Sequence, residues 1–373
     1  MAKKPIIPYG HQWIDEADVK EVVKALSSDW LTQGPKVEEF EKALAKYCGA
    51  KYAVAVSSGT TALYAAYNVA GIKLRDEIIT TPLTFAATSN MAAILGAKPV
   101  FVDIESETLN IDPEKIDQKI TSKTKAIVTV DFAGHPADYD KILKVAKKHN
   151  LLVIEDACHA LGAVYKNKRV GSLTDMAILS FHPVKNITTG EGGAILTNNK
   201  NFYEKLKIFR HHGTVKKSEK GKWYYKIENP GFNCRITDFQ CALGTSQLKK
   251  IGKFLKRRKK IVSEYNKAFK NIKKIILPVE KNYAKSAWHI YPVQINGLNR
   301  RKVFETLQKK GIGCQVHYMP LHLHPFYKKK FGYKKGDFPR AEKYYERAIT
   351  LPLYPKMTNK DVQYVIKSVK KII

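Results

Sequence analysis

The hydrophobic positions of the chain fall into two regimes. Between about Tyr52 and Thr197 short β-branched runs recur: YAVAVSS, DEIITT, KPVFVDI, KAIVTVD, LLVIEDA, MAILSF and GAILTN. Amphipathic or alanine-rich stretches lie between several of them, among them TTALYAAYNVA, AATSNMAAILG and ADYDKILKVAKKH. Strand, helix and strand repeated at this spacing predict an α/β fold, a mostly parallel sheet covered by helices on both faces. Ligands of such sheets sit at the carboxyl ends of the strands. After about Lys200 the pattern becomes helical. NFYEKLKIFRHHG is followed by ITDFQCALGTSQLKKIGKFLKRRKKIVSEYNKAFK, whose apolar period predicts one long helix bridging two domains. The rest, with short strands (AWHIYPVQI, CQVHYMP) and helices (RKVFETLQKKG, PRAEKYYERAITLP, NKDVQYVIKSVKKI), predicts a small α+β domain. The expected division is a large domain over 1–250 and a smaller one over 251–373, since 373 residues exceed what one core usually serves. No internal repeat suggests a solenoid.

Composition changes this picture mainly through charge. At 44% hydrophobic the chain has material for a packed interior, which argues against disorder although 65 Lys+Arg face 34 Asp+Glu. From Ile251 onward 30 basic residues oppose 7 acidic ones, so +23 of the formal +31 sits in the last third. The sharp reading of that excess is nucleic-acid binding. The runs LKRRKK and YKKKFGYKK, however, are spaced like solvated helix faces and loops, with no zinc-finger or RNP-type signature beside them. We therefore expect no nucleic-acid partner and a positive field that gathers anionic small substrates. The five cysteines are scattered without a CxxC pair, the N-terminal segment lacks the apolar core of a signal peptide, and no apolar run is long enough to span a bilayer. The expectation is a reduced, cytoplasmic protein with no membrane association and no metal site.

Several features, each expected at a strand end, can build one site. Ser180-Phe181-His182-Pro183-Val184-Lys185 runs into the turn Gly190-Glu191-Gly192-Gly193. A lysine past a buried strand, beside a glycine-rich turn, can be enclosed; desolvation then frees its amine for a Schiff base. The bland alternative is one more surface lysine. The run Val153-Ile154-Glu155-Asp156-Ala157-Cys158-His159 ends an apolar strand on a carboxylate, the group that keeps a pyridine nitrogen protonated in a pyridoxal-phosphate (PLP) enzyme, although Asp is also a common N-cap. Ser57-Ser58-Gly59-Thr60-Thr61 opens a helix after a strand and suits a phosphate dianion, or is a cap without ligand. In Thr81-Pro82-Leu83-Thr84-Phe85 the ring can stack on a flat cofactor or belong to the core.

Together SSGTTAL, TTPLTFAAT, IEDACHALGA, SFHPVKNITTGEGG and NPGFNCRITDFQCALG resemble the sugar aminotransferases of the DegT/DnrJ/EryC1/StrS family, which have the fold-type I aminotransferase architecture. The match runs in order from SDWLTQGP to the C-terminus. Within the family, IPYGHQWIDEADVKEVVKALSSDWLTQGP, ALGTSQLKK and GIGCQVHYMPLH are most similar to the transaminases of pseudaminic acid biosynthesis, which form UDP-4-amino-4,6-dideoxy-N-acetyl-β-L-altrosamine. Relatives acting on other UDP- or dTDP-linked keto sugars share most of these residues.

The resemblance implies PLP as cofactor, L-glutamate as donor and a UDP-linked 4-keto-6-deoxy sugar as acceptor. It implies that Lys185 anchors the cofactor and moves protons, that Asp156 pairs with the pyridinium, and that His159 lies near the ring, against the alternative of a packed core histidine. Gly59, Thr60 and Ser180 would hold the phosphate, with Phe85 on the ring and Asn233 reaching over from a second subunit, hence a homodimer with shared sites. Arg235 is either a carboxylate binder or a structural ion-pair partner. For the nucleotide sugar the resemblance points to Tyr9, Asp29, Trp30, Leu31, Thr32, Gly59, Ser180, Asn233, Gln315, Val316, His317 and Tyr318, although Val316 and Tyr318 also fit an ordinary strand. A dehydratase on the same scaffold is disfavoured because members with that activity can carry histidine where this chain has Lys185. A non-catalytic regulator or nucleic-acid binder is disfavoured by the full set of site residues.

Overall fold

The computed structural model describes residues 7–216, 219 and 221–373. Two helices, α1 (Glu16–Leu26) and α2 (Pro35–Cys48), lead into the main sheet. Its strands are β1 (Tyr52–Val56), β2 (Glu77–Thr80), β3 (Lys98–Phe101), β4 (Thr124–Val130), β5 (Leu152–Asp156), β8 (Met176–Ser180) and β9 (Gly193–Thr197); the short β6 (Val164–Tyr165) and β7 (Lys168–Arg169) form a hairpin outside it. The intervening helices are α3 (Gly59–Val69), α4 (Ala86–Ile94) and α5 (Tyr139–Lys148). The spatial order is β1-β9-β8-β5-β4-β2-β3. All neighbours run parallel except β9, which is antiparallel to both β1 and β8. Each strand predicted from the apolar runs is present. The inner ones are buried at nearly every position, as parallel strands between helix layers must be.

Then come α6 (Lys200–Arg210), the hairpin β10 (Thr214–Lys216) and β11 (Tyr225–Ile227), α7 (Asp238–Lys249) and α8 (Ile251–Phe269). The long helix expected over 236–270 is thus two helices. Lys250 ends α7, its N–H bonding back to Gln247 O at 3.0 Å, and its amine turns to Asp15 at 2.7 Å and the buried Asp18 at 2.6 Å. An ion pair that anchors α1 at this point outweighs the continuous helical period.

The C-terminal part holds β12 (Ile275–Ile276), β13 (Ala284–Lys285), β14 (Tyr291–Ile295), α9 (Arg300–Lys309), α10 (Pro325–Phe331), α11 (Pro339–Arg347), β15 (Ala348–Leu351) and α12 (Asn359–Ile372). Strands β12, β14 and β15 form a small antiparallel sheet over an apolar cluster that includes Tyr265, Trp288, Tyr291, Leu307 and Val365. Two local expectations fail. The segment Ala348–Leu351 leaves the predicted helix because its side chains pair with β14 and are fully buried. CQVHYMP forms no strand but a single bridge, Gln315 to Thr350. Ile7 joins this part, its N–H donating to Gly311 O at 3.0 Å, so the N-terminal segment and the 311–318 segment run together.

Candidate active site

The carboxyl ends of β1, β2, β4, β5 and β8, or the segments just after them, line one cavity, and the antiparallel β9 starts beside them. The cavity has a volume of about 400 Å³. Its lining brings together Tyr9, Gly59, Thr60, Phe85, Asp156, His159, Ser180, Lys185, His317 and Tyr318, all read from the sequence. Asp29, Trp30, Leu31, Thr32, Asn233, Gln315 and Val316 do not line it within one chain. Trp30 and Leu31 are half exposed, Thr32 is bridged to Thr237, Asn233 is bridged to His211, Gln315 is exposed, and Val316 packs on an apolar cluster with Tyr318.

The floor is the end of β5. Asp156 Oδ2 accepts the hydroxyl of Thr88 at 2.7 Å, and Thr88 Oγ1 lies 2.8 Å from Thr84 Oγ1. Asp156 Oδ1 accepts the N–H of Cys158 at 3.3 Å. The carboxylate is therefore fixed in direction before any ligand arrives. Thr88 was missed in the sequence reading. Thr84 stands two residues before α4 and Thr88 in its first turn, so the two hydroxyls meet at the helix start; the paired threonines of TTPLTFAAT are the only sequence trace of this.

Lys185 sits in the loop after β8, held by its N–H to His182 O at 2.9 Å. Asn186 fastens the same loop to Leu161 O at 3.0 Å, and Thr188 bonds back to Phe181 O at 3.0 Å. Lys185 is half-buried and lines the cavity, with its amine enclosed by protein. Burial pushes the amine below the usual lysine range, while the nearby Cys158 and Asp156 partly offset the shift. The free-base form needed of a nucleophile or proton carrier is favoured in this position.

On the β1 side, Ser58 caps α3 reciprocally with Thr61, Ser58 Oγ accepting Thr61 N–H at 3.1 Å. Helix geometry leaves the N–H groups of Gly59 and Thr60 without intrahelical acceptors. Nothing fills the space in front of them because two glycines keep it clear. A Cβ on Gly59 would lie 3.0 Å from Ser180 Cβ, and one on Gly193 would lie 2.4 Å from the Ser58 carbonyl.

The third wall is imidazole and phenol. His159 Nε2 lies 3.2 Å from the Tyr318 hydroxyl, and its ring lies 4.4 Å from that of His289. Tyr9 stacks obliquely on His317 at 5.7 Å, and His317 Nδ1 is 2.9 Å from Thr350 Oγ1. Burial holds His159 and His289 well below the normal histidine range and His317 at about 4, so all three are neutral at pH 7. His289 was another omission: it lies in AWHIYPV, where an apolar surround reads as core. Arg235 lies in a separate polar cleft with Glu41, Arg210 and His211, its guanidinium 2.9 Å from His211 Nδ1.

A fixed carboxylate, an enclosed amine, an uncluttered helix start and an apolar wall of Leu63, Ala87 and Val130 form the donor set that PLP requires. Among the described residues no cluster of His, Cys, Asp or Glu could hold a metal ion, and no helix is long and apolar enough to cross a membrane.

The chain is 43% identical to the UDP-4-amino-4,6-dideoxy-N-acetyl-β-L-altrosamine transaminase of Campylobacter jejuni, over 96% of each chain. It is also 43% identical to the spore coat polysaccharide biosynthesis protein SpsC of Bacillus subtilis, over 98% of this chain and 97% of that one. The structure of Helicobacter pylori PseC, an aminotransferase involved in pseudaminic acid biosynthesis, superposes with a TM-score of 0.93 at 36% identity, covering 98% of both chains. Aminotransferases of this kind are PLP-dependent. With the family profile matching residues 12–370, the chain belongs to the DegT/DnrJ/EryC1/StrS aminotransferase family.

Proposed function

We propose that this sugar aminotransferase moves the amino group of L-glutamate to the C4 keto group of a UDP-linked 4-keto-6-deoxy-N-acetylhexosamine, forming UDP-4-amino-4,6-dideoxy-N-acetyl-β-L-altrosamine. The observation that carries the reading is the enclosed amine of Lys185 facing the same cavity as the braced carboxylate of Asp156. In support, a relative of that name matches nearly end to end, and Tyr9, His317 and Tyr318 line the cavity.

Lys185 would anchor PLP, Asp156 would take the ring nitrogen, and Gly59, Thr60 and Ser180 would take the phosphate, with His159 and Phe85 beside the ring. PLP, when bound, supplies the electron sink that makes a carbon acid of the donor. The chain's own residues do the rest. Lys185 Nζ would remove the Cα proton of glutamate, whose nitrogen would stay with the cofactor while water supplies the keto oxygen of the departing 2-oxoglutarate. In the second half-reaction Lys185 would deliver a proton to the sugar carbon that becomes the amine carbon, the sugar's keto oxygen leaving as water. Asp156 holds its charge in place through Thr88. Neutral His159, His289 and His317 add donors and acceptors without adding charge. The net positive surface gathers the anionic nucleotide sugar.

Asn233, exposed on this chain, is assigned in the same proposal to the phosphate of a second copy, which makes the working unit a homodimer. Mixing Lys185→Ala with Asn233→Ala chains would then rebuild one intact site per mixed dimer and recover activity that neither variant has. The deciding experiment incubates the enzyme with glutamate and the UDP-4-keto sugar and follows the amino sugar and 2-oxoglutarate by mass spectrometry. No amine from this sugar refutes the proposed acceptor, and none from any UDP- or dTDP-linked keto sugar refutes the transferase reading altogether. The equal identity to SpsC favours one second reading, the same transfer to another nucleotide-linked keto sugar.

A further inference from the structure

Two carboxyl groups lie behind the strand end that carries Asp156. Asp131 follows β4, Glu155 precedes Asp156 on β5, and both residues have 0% exposure. Successive side chains on a strand point to opposite faces, so Glu155 is turned away from the cavity that Asp156 lines. The register pairs Val130 with Asp156, and the next N–H, that of Asp131, donates to Asp156 O at 3.1 Å. Asp131 Oδ1 accepts Ala137 N–H at 2.9 Å and the Tyr139 hydroxyl at 2.7 Å. Glu155 Oε2 accepts the Thr174 hydroxyl at 3.4 Å. The remaining oxygens, Asp131 Oδ2 and Glu155 Oε1, make no hydrogen bond of ordinary geometry with another group among the described residues; the Gly171 N–H and the Tyr139 hydroxyl also face Glu155, and the two carboxyls are within reach of each other.

The titratable groups facing the pair are Asp156 on β5, Tyr139 on α5, Cys48 at the end of α2 and Tyr283 ahead of β13. None of these is a cation. Two fully buried carboxyls with no cation facing them cannot both ionise near neutral pH, because the second charge is desolvated and repelled by the first. We propose that Asp131 and Glu155 share one proton as a carboxyl–carboxylate pair, which ties the ends of β4 and β5 and so positions the strand end from which Asp156 reaches the cavity. Burial raises both groups, Glu155 the more strongly, so Glu155 holds the proton and donates it to Asp131. The effect on Asp156 rests on the aminotransferase reading above; the shared proton does not.

The test is thermal unfolding of the cofactor-free protein between pH 6 and 10. The native pair retains a proton that the unfolded chain releases above the ordinary carboxyl range. Stability therefore falls as pH rises, by up to tenfold in the unfolding constant per pH unit until the proton leaves. Glu155→Gln donates an amide N–H to Asp131 with no proton to lose. Asp131→Asn does the reverse, its oxygen taking Ala137 N–H and Tyr139. Both flatten the profile, so the midpoint gap to the parent widens by about 2 °C per pH unit. Parallel profiles in all three proteins overturn the shared proton. If neither variant folds, infrared spectroscopy of the parent decides: a protonated carboxyl band persisting at pH 8 supports it, and its absence overturns it. Positioning is read separately, by PLP affinity from absorbance titration. Glu155→Ala loses about tenfold while Glu155→Gln stays within about twofold; equal loss in both overturns the positioning role.

Discussion

Gly193→Ala is the substitution whose consequence the structure fixes most tightly. Gly193 begins β9, pairing with Val56 on one side and Ser180 on the other, and its α-carbon presses on the turn that opens α3. A Cβ built there lies 2.4 Å from both C and O of Ser58 and 2.6 Å from N of Gly59. Ordinary contacts begin near 3.4 Å, so the first turn of α3 must retreat by roughly 1 Å. All three atoms are backbone, and no rotamer change relieves the clash. Overpacking of this kind costs about 1–3 kcal/mol. The reciprocal cap between Ser58 and Thr61 is strained with it, adding about 1 kcal/mol if lost. Displacing the N–H groups of Gly59 and Thr60 by that distance lowers PLP affinity by up to about a hundredfold. Affinity is read from the absorbance of bound PLP, stability from circular dichroism on heating. Gly252→Ala is the control: a Cβ there meets nothing within 4 Å, in a helix, so it is neutral or stabilising by up to about 1 kcal/mol. If Gly193→Ala binds PLP within about twofold of the parent at unchanged melting temperature, the close approach of β9 does not shape the phosphate site.

Other perturbations have equally direct outcomes. Thr88→Val removes the 2.7 Å donor to Asp156 Oδ2 and costs about 1–3 kcal/mol, with faster PLP loss on dialysis; Thr88→Ser restores retention. Lys185→Met abolishes transamination and stabilises the cofactor-free protein at neutral pH. The native amine is depressed below its unfolded value, so the parent gains stability as pH rises toward 10.5, and denaturant midpoints of the two proteins should converge there. His317, held at about 4 by burial and by the Lys185 charge, stays neutral in the native state while the unfolded imidazole protonates below about 6.5. Stability is therefore lost as pH falls from 6.5 towards 4, and His317→Asn should show a shallower acid limb in the same unfolding assay.

The sheet is legible in the sequence because its inner strands are buried on nearly every position and so read as apolar runs, only the edge strand β3 and Lys125 of β4 breaking the pattern. The sequence announced Lys185, Asp156 and Gly59 because strand ends, glycines and a capping serine are local signals. The break at Lys250 escaped the same reasoning: it depends on Asp15 and Asp18, far away in sequence. Ala348–Leu351 continues a helical pattern but is captured by β14. CQVHYMP alternates like a strand, yet only Gln315 finds a bridging partner. Thr88 and His289 are ordinary residues in helical and apolar settings, and contact with Asp156 or His159 gives them their place. Local patterns are thus legible from one chain segment; partners brought in by the fold are not.

The buried bases around the cavity and the carboxyl pair behind it share one physical effect, the suppression of charge. Burial keeps Lys185, His159, His289 and His317 toward their neutral forms, and the Asp131–Glu155 pair carries one charge rather than two. The basic excess of the chain meanwhile lies mostly on solvated faces, as in YKKKFGYKK; LKRRKK departs from that expectation at Arg258, which is buried and donates to the carbonyls of Trp288, His289 and Leu353. Outside, that excess acts over roughly a Debye length and weakens with salt. Inside, the low dielectric magnifies whatever charge remains, which is why the direction of Asp156 needs Thr88 and the Cys158 N–H to fix it. Raising the ionic strength should accordingly raise KM for an anionic nucleotide sugar while leaving kcat nearly unchanged. A fall in kcat of the same size would place the surface charge in the chemistry, contrary to this division of labour.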